Sequence, residues 1–268
     1  MKTPIEVTPK VPLSHEALRD TIDLCLWAGQ LLIQYGAETQ LAEETVHRLG
    51  TGLGCDWLDV FVSSNALTIT ASSGVEFRTK TRRILTHPVN FGAITAVTDL
   101  NARVQRGELS REQVRLTLRM ISETPRTYNR WLVIVFVGLA CAAFSRMFEG
   151  DWPAFWLTWA AASVATFVRQ EFSYRRFNLL LVTIATAFTA GMLAGLGTLM
   201  RITDTPQIAL AASVLLLVPG VPLINSAEDL IKGNVVTGIS RGVWGGLISL
   251  GIALGLLIAF TLLRVRGI

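Results

Sequence analysis

Cysteine is nearly absent from this 268-residue chain, and the three it has, Cys25, Cys55 and Cys141, show no CxxC or metal-ligand spacing. An odd number of scattered cysteines excludes the disulfide framework of a small secreted domain. Charge is also scarce. Only 16% of residues are charged, where soluble domains carry about a quarter. Fifteen of the 24 basic and 14 of the 20 acidic residues fall within positions 1–131. The first half therefore has the composition of a water-soluble domain and the second that of a lipid-soluble one. The net charge is only +4, with basic residues at the ends of apolar runs, which leaves no nucleic-acid footprint. His15, His47 and His87 are too dispersed for a ligand set, no catalytic motif stands out, and no metal or cofactor is implied. The first 20 residues lack the apolar core of a signal peptide, so the N-terminal domain is expected in the cytoplasm.

What is present in the first half reads as a small α+β domain. Ser14 is a candidate N-cap, and Leu18, Ile22, Leu26, Leu32 and Ile33 recur at helical spacing as far as Tyr35. A second helix is expected over Glu38–Leu49, stopped by Gly50, Gly52 and Gly54. Strands follow over Trp57–Ser63, Ala66–Ala71 and Val75–Lys80, with a turn at Ser72-Ser73-Gly74. Helices over Phe91–Gln105 and Ser110–Ser122 complete an ααβββαα order, closed by Thr124-Pro125. The run Thr79-Lys80-Thr81-Arg82-Arg83 could bind an anion or simply be a solvated strand end.

The second half contains five apolar stretches close to the ~20 residues needed to cross a bilayer: Trp131–Phe148, Trp152–Val168, Asn178–Met200, Gln207–Ile224 and Val243–Leu263. The predicted fold is an α-helical polytopic membrane protein of about five transmembrane helices (131–268) behind a cytoplasmic α+β domain (1–130). Trp131, Trp152, Trp156, Trp159 and Trp244 stand near span ends, as an interfacial aromatic belt requires. With the N-terminus inside, seven basic residues lie on the cytoplasmic side (Arg126, Arg130, Arg169, Arg175, Arg176, Lys232, Arg241) against Arg201, Arg264 and Arg266 outside. The positive-inside rule then places the N-terminus in the cytoplasm and, after five spans, the C-terminus in the periplasm. G-x-x-x-G pairs at Gly191/Gly195, Gly238/Gly242, Gly242/Gly246 and Gly251/Gly255 allow close helix packing. The last span, richest in glycine, is the expected subunit contact, and a homo-oligomer is one assembly that could use it.

The richest chemistry lies in Leu215–Leu230. Pro219, Gly220 and Pro222 interrupt an apolar run, because each proline removes a backbone donor and clashes with the preceding turn. Irregular backbone at membrane depth is tolerated only where protein or a water-filled cavity receives it. Pro222 suits the first turn of a new helix, whose free N–H groups from Leu223 to Ser226 would form a partial positive pole. Asn225, Ser226, Glu228 and Asp229 follow at once. The competing reading is a plain kink with a solvated acidic loop. Ionisable residues are otherwise nearly missing at mid-span, so that if protons drive transport the candidate carriers are Glu171, Glu228 and Asp229, or else a group on a partner chain.

The segment LVPGVPLINSAEDLIKGNVVTGISRG resembles the signature of the threonine/serine exporter family, as does Tyr35-Gly36-Ala37-Glu38-Thr39 followed by Glu43-Glu44. Asn65 and Arg82-Arg83 sit where that family has its N-terminal pattern. Fused members carry about ten spans. A five-span chain is similar instead to the larger subunit of the split form, which a smaller membrane protein completes. The resemblance implies proton-coupled export across the bacterial inner membrane of a small carboxylate: succinate and related dicarboxylates for the split pair, threonine and serine for the fused proteins. Pro219, Gly220 and Pro222 would then shape the substrate site, and Asn225 and Ser226 would offer hydrogen bonds. Asp229, also at the substrate site, would be a proton-linked or gating carboxylate, and Arg241 would supply a counter-charge there. The alternative is a membrane-anchored sensor or regulatory protein acting through its cytoplasmic domain. That class predicts unbroken apolar spans, whereas the prolines predict a broken one.

Overall fold

The computed structural model describes residues 11–63, 65–84, 89–123 and 128–263. His87, Thr124, Pro125, Arg126, Arg264 and Arg266, used above, lie outside these. The chain divides into two compact units: residues 1–125 with 221–242, and residues 126–220 with 243–268. A linear boundary near residue 130 therefore misses the excursion of 221–242, which goes with the N-terminal unit.

In the first unit, α1 (His15–Gln34) and α2 (Thr39–Gly52) precede strands β1 (Trp57–Val62), β2 (Ala66–Ser73) and β3 (Glu76–Arg83). Helices α3 (Phe91–Gln105) and α4 (Arg111–Glu123) follow. The Ser14 hydroxyl accepts from Ala17 N–H and caps α1. The sheet is antiparallel with β2 central. Its strict alternation sends Leu67, Ile69 and Ala71 into the core, while Thr68 and Thr70 remain on the opposite face. Helix α1 is buried on nearly every side (Leu18, Ile22, Leu24, Leu26, Leu31 and Leu32), because it packs against the sheet as well as against the other helices. That is why its apolar pattern is broader than a single stripe.

In the second unit, α5 (Arg130–Met147), α6 (Trp152–Tyr174), α7 (Leu179–Leu199) and α8 (Pro206–Val214) pack as apolar helices. Helix α10 (Val235–Leu263) contributes its C-terminal part. Small residues fill the interior: Ala154, Ala161, Ala162, Ala165, Ala187, Ala190 and Ala194 are essentially buried. Large side chains such as Trp131, Phe136, Leu250 and Leu257 are more than half exposed. Water does not favour that distribution, whereas lipid does, since packing rather than hydrophobicity drives helix association in a bilayer. Buried hydroxyls of Thr166, Thr183 and Thr186 donate to the carbonyl four residues back, so none is stranded.

Three helices among the described residues are long and apolar enough to cross a membrane: α5, α7 and α10. Counting the interrupted pair Pro206–Leu217 and Gly220–Ile231 as one span makes four. The difference from five is α6. It has 23 residues, but Trp152, Trp156, Trp159, the buried threonines and Arg169 dilute its apolar run.

Some of the glycines that suggested a subunit contact on the last helix pack within the chain itself. A Cβ on Gly255 would lie 2.5 Å from Ile184 O and 2.9 Å from Phe188 N, and one on Gly251 would meet Thr183, so these glycines face α7 of the same chain. Gly242 lies against Ser226 instead, and of the four glycines only Gly246 has open space around it.

Candidate functional site

The helix expected over 207–224 breaks where its prolines require. After α8, Leu215–Leu217 tighten into one 3-10 turn, and Val218 turns extended (φ −57°, ψ 123°). Pro219 has no N–H to give, and Gly220 N–H turns back to Val218 O at 2.8 Å. The Leu216 carbonyl, thereby left without its helical donor, accepts from Arg169 Nη1 of α6 at 3.3 Å. A new helix, α9, runs Gly220–Ile231. It starts two residues before Pro222, so two of its four N-terminal donor positions are prolines and Gly220 N–H is already used. The positive pole expected at Leu223–Ser226 is therefore largely absent, because those N–H groups lie within the helix. A Cβ on Gly220 would meet no atom within 4 Å, so this glycine is not a point of close backbone approach.

The polar residues of α9 and the start of α10 converge on one turn of the N-terminal unit. Gly36 (φ +97°) reverses the chain between α1 and α2 and leaves the Gly36 and Ala37 carbonyls unpaired by helix. Asn225 Nδ2 donates to Gly36 O at 2.8 Å, and Arg241 Nη2 donates to Ala37 O at 2.9 Å. Glu38 occupies the N-cap of α2 without making a side-chain cap. Asp229 substitutes for it: its Oδ1 accepts from Thr39 N–H at 3.2 Å, a cap delivered from 190 residues away. Asp229 Oδ2 lies 2.9 Å from Arg241 Nη1, an ion pair whose angle falls short of a hydrogen bond. Asp229 is fully buried and the Arg241 side chain nearly so, at 16% exposure. Nearer the surface, Lys232 Nζ bridges Glu38 and Glu228 at 2.7 Å each. Ser226 faces the other way and donates to Gly238 O at 2.7 Å. Thr237 reaches Val62 O of β1 at 3.3 Å.

Asn225 and Asp229 stand one helical turn apart, which puts both on the face toward the 36–39 turn. Of the residues singled out in the sequence, the structure brings together Asn225, Asp229, Arg241 and, at the rim, Glu228. Pro219, Gly220 and Pro222 make the break. Glu171 stands apart on α6, held by Arg130 at 3.1 Å and Arg175 at 2.9 Å.

Glu43, in the segment that carries the family resemblance, is a functional candidate that residue type alone does not single out. It lines a cavity of about 270 Å³ with Glu44, His47, Arg48, Leu58, Asp59 and Val60. Burial raises its carboxyl above the ordinary glutamate range; the Val62 N–H opposes this, and the charges of Asp229 and Asp59 reinforce it. Burial likewise raises Glu38 against the pull of Lys232. Residue type and spacing carry no signal for this, because the Asp229 charge arrives from a distant part of the chain.

Comparison with known proteins matches residues 23–263 to the model of the threonine/serine exporter family. The chain is similar to the probable succinate transporter subunit YjjP of Escherichia coli, 36% identical over 256 residues that cover 95% of this chain and 99% of that one. The corresponding protein of Klebsiella aerogenes is also 36% identical, over 91% of this chain and 94% of its own. The threonine/serine exporter of Corynebacterium glutamicum is 21% identical over 94% of this chain but only 53% of its own length. No solved structure matches.

Proposed function

The chain belongs to the threonine/serine exporter family, and from that premise we propose that it is the larger subunit of a two-component inner-membrane exporter of a small carboxylate metabolite. The substrate in this reading is succinate or a related dicarboxylate rather than threonine or serine, and proton entry drives export. Two things support the split form: the two relatives at 36% identity are named as transporter subunits, and this chain covers nearly the whole of each. In this reading the N-terminal unit is cytoplasmic and α6 counts as a span, giving five. At ~1.5 Å per residue its 23 residues are long enough.

The observation that carries the mechanism is the junction of the two signature segments. Asn225, Asp229, Lys232 and Arg241 engage four consecutive residues, Gly36 to Thr39. In an exporter this junction would tie the state of the broken helix to that of the cytoplasmic domain. Pro219 and Gly220 would supply irregular backbone near the substrate, and Asp229 and Arg241 would serve as a gating ion pair rather than as free substrate ligands. The test is efflux of labelled succinate and labelled threonine from cells that lack endogenous exporters. Succinate efflux is expected only when this chain is co-expressed with a small membrane-protein partner. Efflux by this chain alone at the full rate would sink the two-component reading, and threonine efflux without succinate efflux would sink the substrate.

Glu43 is our choice for the proton-linked group. A carboxyl whose pKa is raised on folding keeps its proton longer than in the unfolded chain. Its contribution to stability is present at low pH and is lost as pH rises through the raised value. Glu43→Gln fixes the neutral form, so the variant should lose less stability than wild type between mildly acidic and alkaline pH. It should also flatten the dependence of efflux on external pH. An unchanged efflux–pH profile would move proton coupling elsewhere.

A further inference from the structure

Strand β3 alternates basic and hydroxyl residues, and its register sorts them by face. Arg78, Lys80 and Arg82 stand opposite Ala71, Ile69 and Leu67, the core-facing residues of β2. Thr79 and Thr81 instead pair hydroxyls with Thr70 and Thr68 on the outer face, at 2.8 and 3.0 Å. Cations turned inward on an edge strand discourage pairing with another sheet, but here one of them, Arg82, also borders a cavity. Its volume is about 430 Å³, and Asp23, Leu24, Trp27, Arg82 and Arg115 line it. That volume lies within the ~300–1,000 Å³ usual for small-molecule sites.

The charges around this cavity do not cancel. Lys80 Nζ is held by Asp23 Oδ1 at 2.6 Å, and Arg115 pairs with Asp20. Arg82 has only a neutral partner among the described residues, the Gln30 side-chain oxygen at 3.3 Å. Among the side chains that line the cavity, two guanidiniums therefore face one carboxylate, Asp23, which Lys80 already engages. The surplus guanidinium offers a planar fork of donors in a site that Trp27 and Leu24 wall with apolar surface.

We propose that this cavity of the N-terminal unit binds a small organic anion, its carboxylate or phosphate held by Arg82 and Arg115 and its carbon skeleton laid against Trp27. Such a site would let the domain sense a metabolite, and it stands independently of the exporter reading because binding needs no gradient and no partner. Arg82 would exchange a neutral acceptor for an anionic one, which its planar fork of donors can hold with two parallel hydrogen bonds.

The experiment is calorimetric titration of the full chain in detergent with succinate, threonine and inorganic phosphate separately, each at up to about 1 mM. At least one is expected to bind with one-to-one stoichiometry; succinate or threonine would identify a carboxylate site, and phosphate a phosphate site. Arg82→Gln should weaken that binding by about tenfold or more. Arg115→Gln should do the same while changing only a half-exposed ion pair, so it decides the matter if Arg82→Gln unfolds. Arg83→Gln, on the outer face beside Ala66, should leave affinity unchanged. Absence of binding by all three anions, or binding unaffected in both cavity variants, overturns the proposal.

Discussion

Asp229→Asn is expected to abolish most export while the protein still reaches the membrane. The amide can still cap Thr39 N–H through its oxygen, so α2 keeps its start. What it loses is the negative charge opposite Arg241, in a position with no access to water. Breaking a buried ion pair from one side costs about 3–5 kcal/mol, since the remaining charge stays buried without compensation. Even half of that, concentrated on the junction between the two signature segments, would shift the population of a two-state element by tenfold or more. Lys232→Gln is the matched control. It removes two ion pairs, but these lie at the surface, where such pairs are worth ~0.2–1 kcal/mol. Labelled-succinate efflux normalised to membrane abundance measures both. Normal export by Asp229→Asn would mean that the buried pair has no part in transport.

The second large effect is expected from Gly255→Leu, which should prevent the second unit from assembling. A Cβ there would sit 2.5 Å from a backbone carbonyl oxygen and 2.9 Å from a backbone nitrogen of α7, and backbone cannot move aside as a flexible side chain can. Overpacking of this kind costs ~1–3 kcal/mol or more, and a larger side chain would separate α7 from α10 altogether. Gly246→Leu, on the same helix but in open space, should be tolerated. Membrane abundance and thermal unfolding in detergent distinguish the two. Equal stability of the variants would refute the α7–α10 contact. Loss of assembly in Gly246→Leu alone would put the partner-facing or self-associating surface there.

Much of the fold was legible because it follows from local chemistry. The spacing of Leu18, Ile22 and Leu26 marks α1, and Phe91–Gln105 is observed where it was expected, whereas the turn expected at Ser72-Ser73-Gly74 falls at Gly74-Val75, because Ser72 and Ser73 stay in β2 and pair with Phe77 and Glu76. Pro219 and Pro222 dictate a break in any context, since a missing donor is a property of the residue itself. The site was less legible. Asn225, Asp229 and Arg241 were visible as polar residues in an apolar half, but they read as ligands for a substrate. In the structure their partners are the carbonyls and the helix N-terminus of the 36–39 turn. The glycines of the last helix likewise announced close packing without saying against what.

The partition into a polar and an apolar half, the helix and strand periodicities, the break at Pro219 and the family can all be read along the chain. Each of these depends on a residue and its near neighbours in the chain. Packing alone put residues 221–242 with the N-terminal unit, made Asp229 the cap of a helix 190 residues away, and left Arg82 at a cavity with only a neutral partner among the described residues. Those outcomes depend on which groups meet across the fold. A buried charge or an orphaned carbonyl takes whatever partner the packing brings within about 3 Å, and nothing in the local pattern records which one that is.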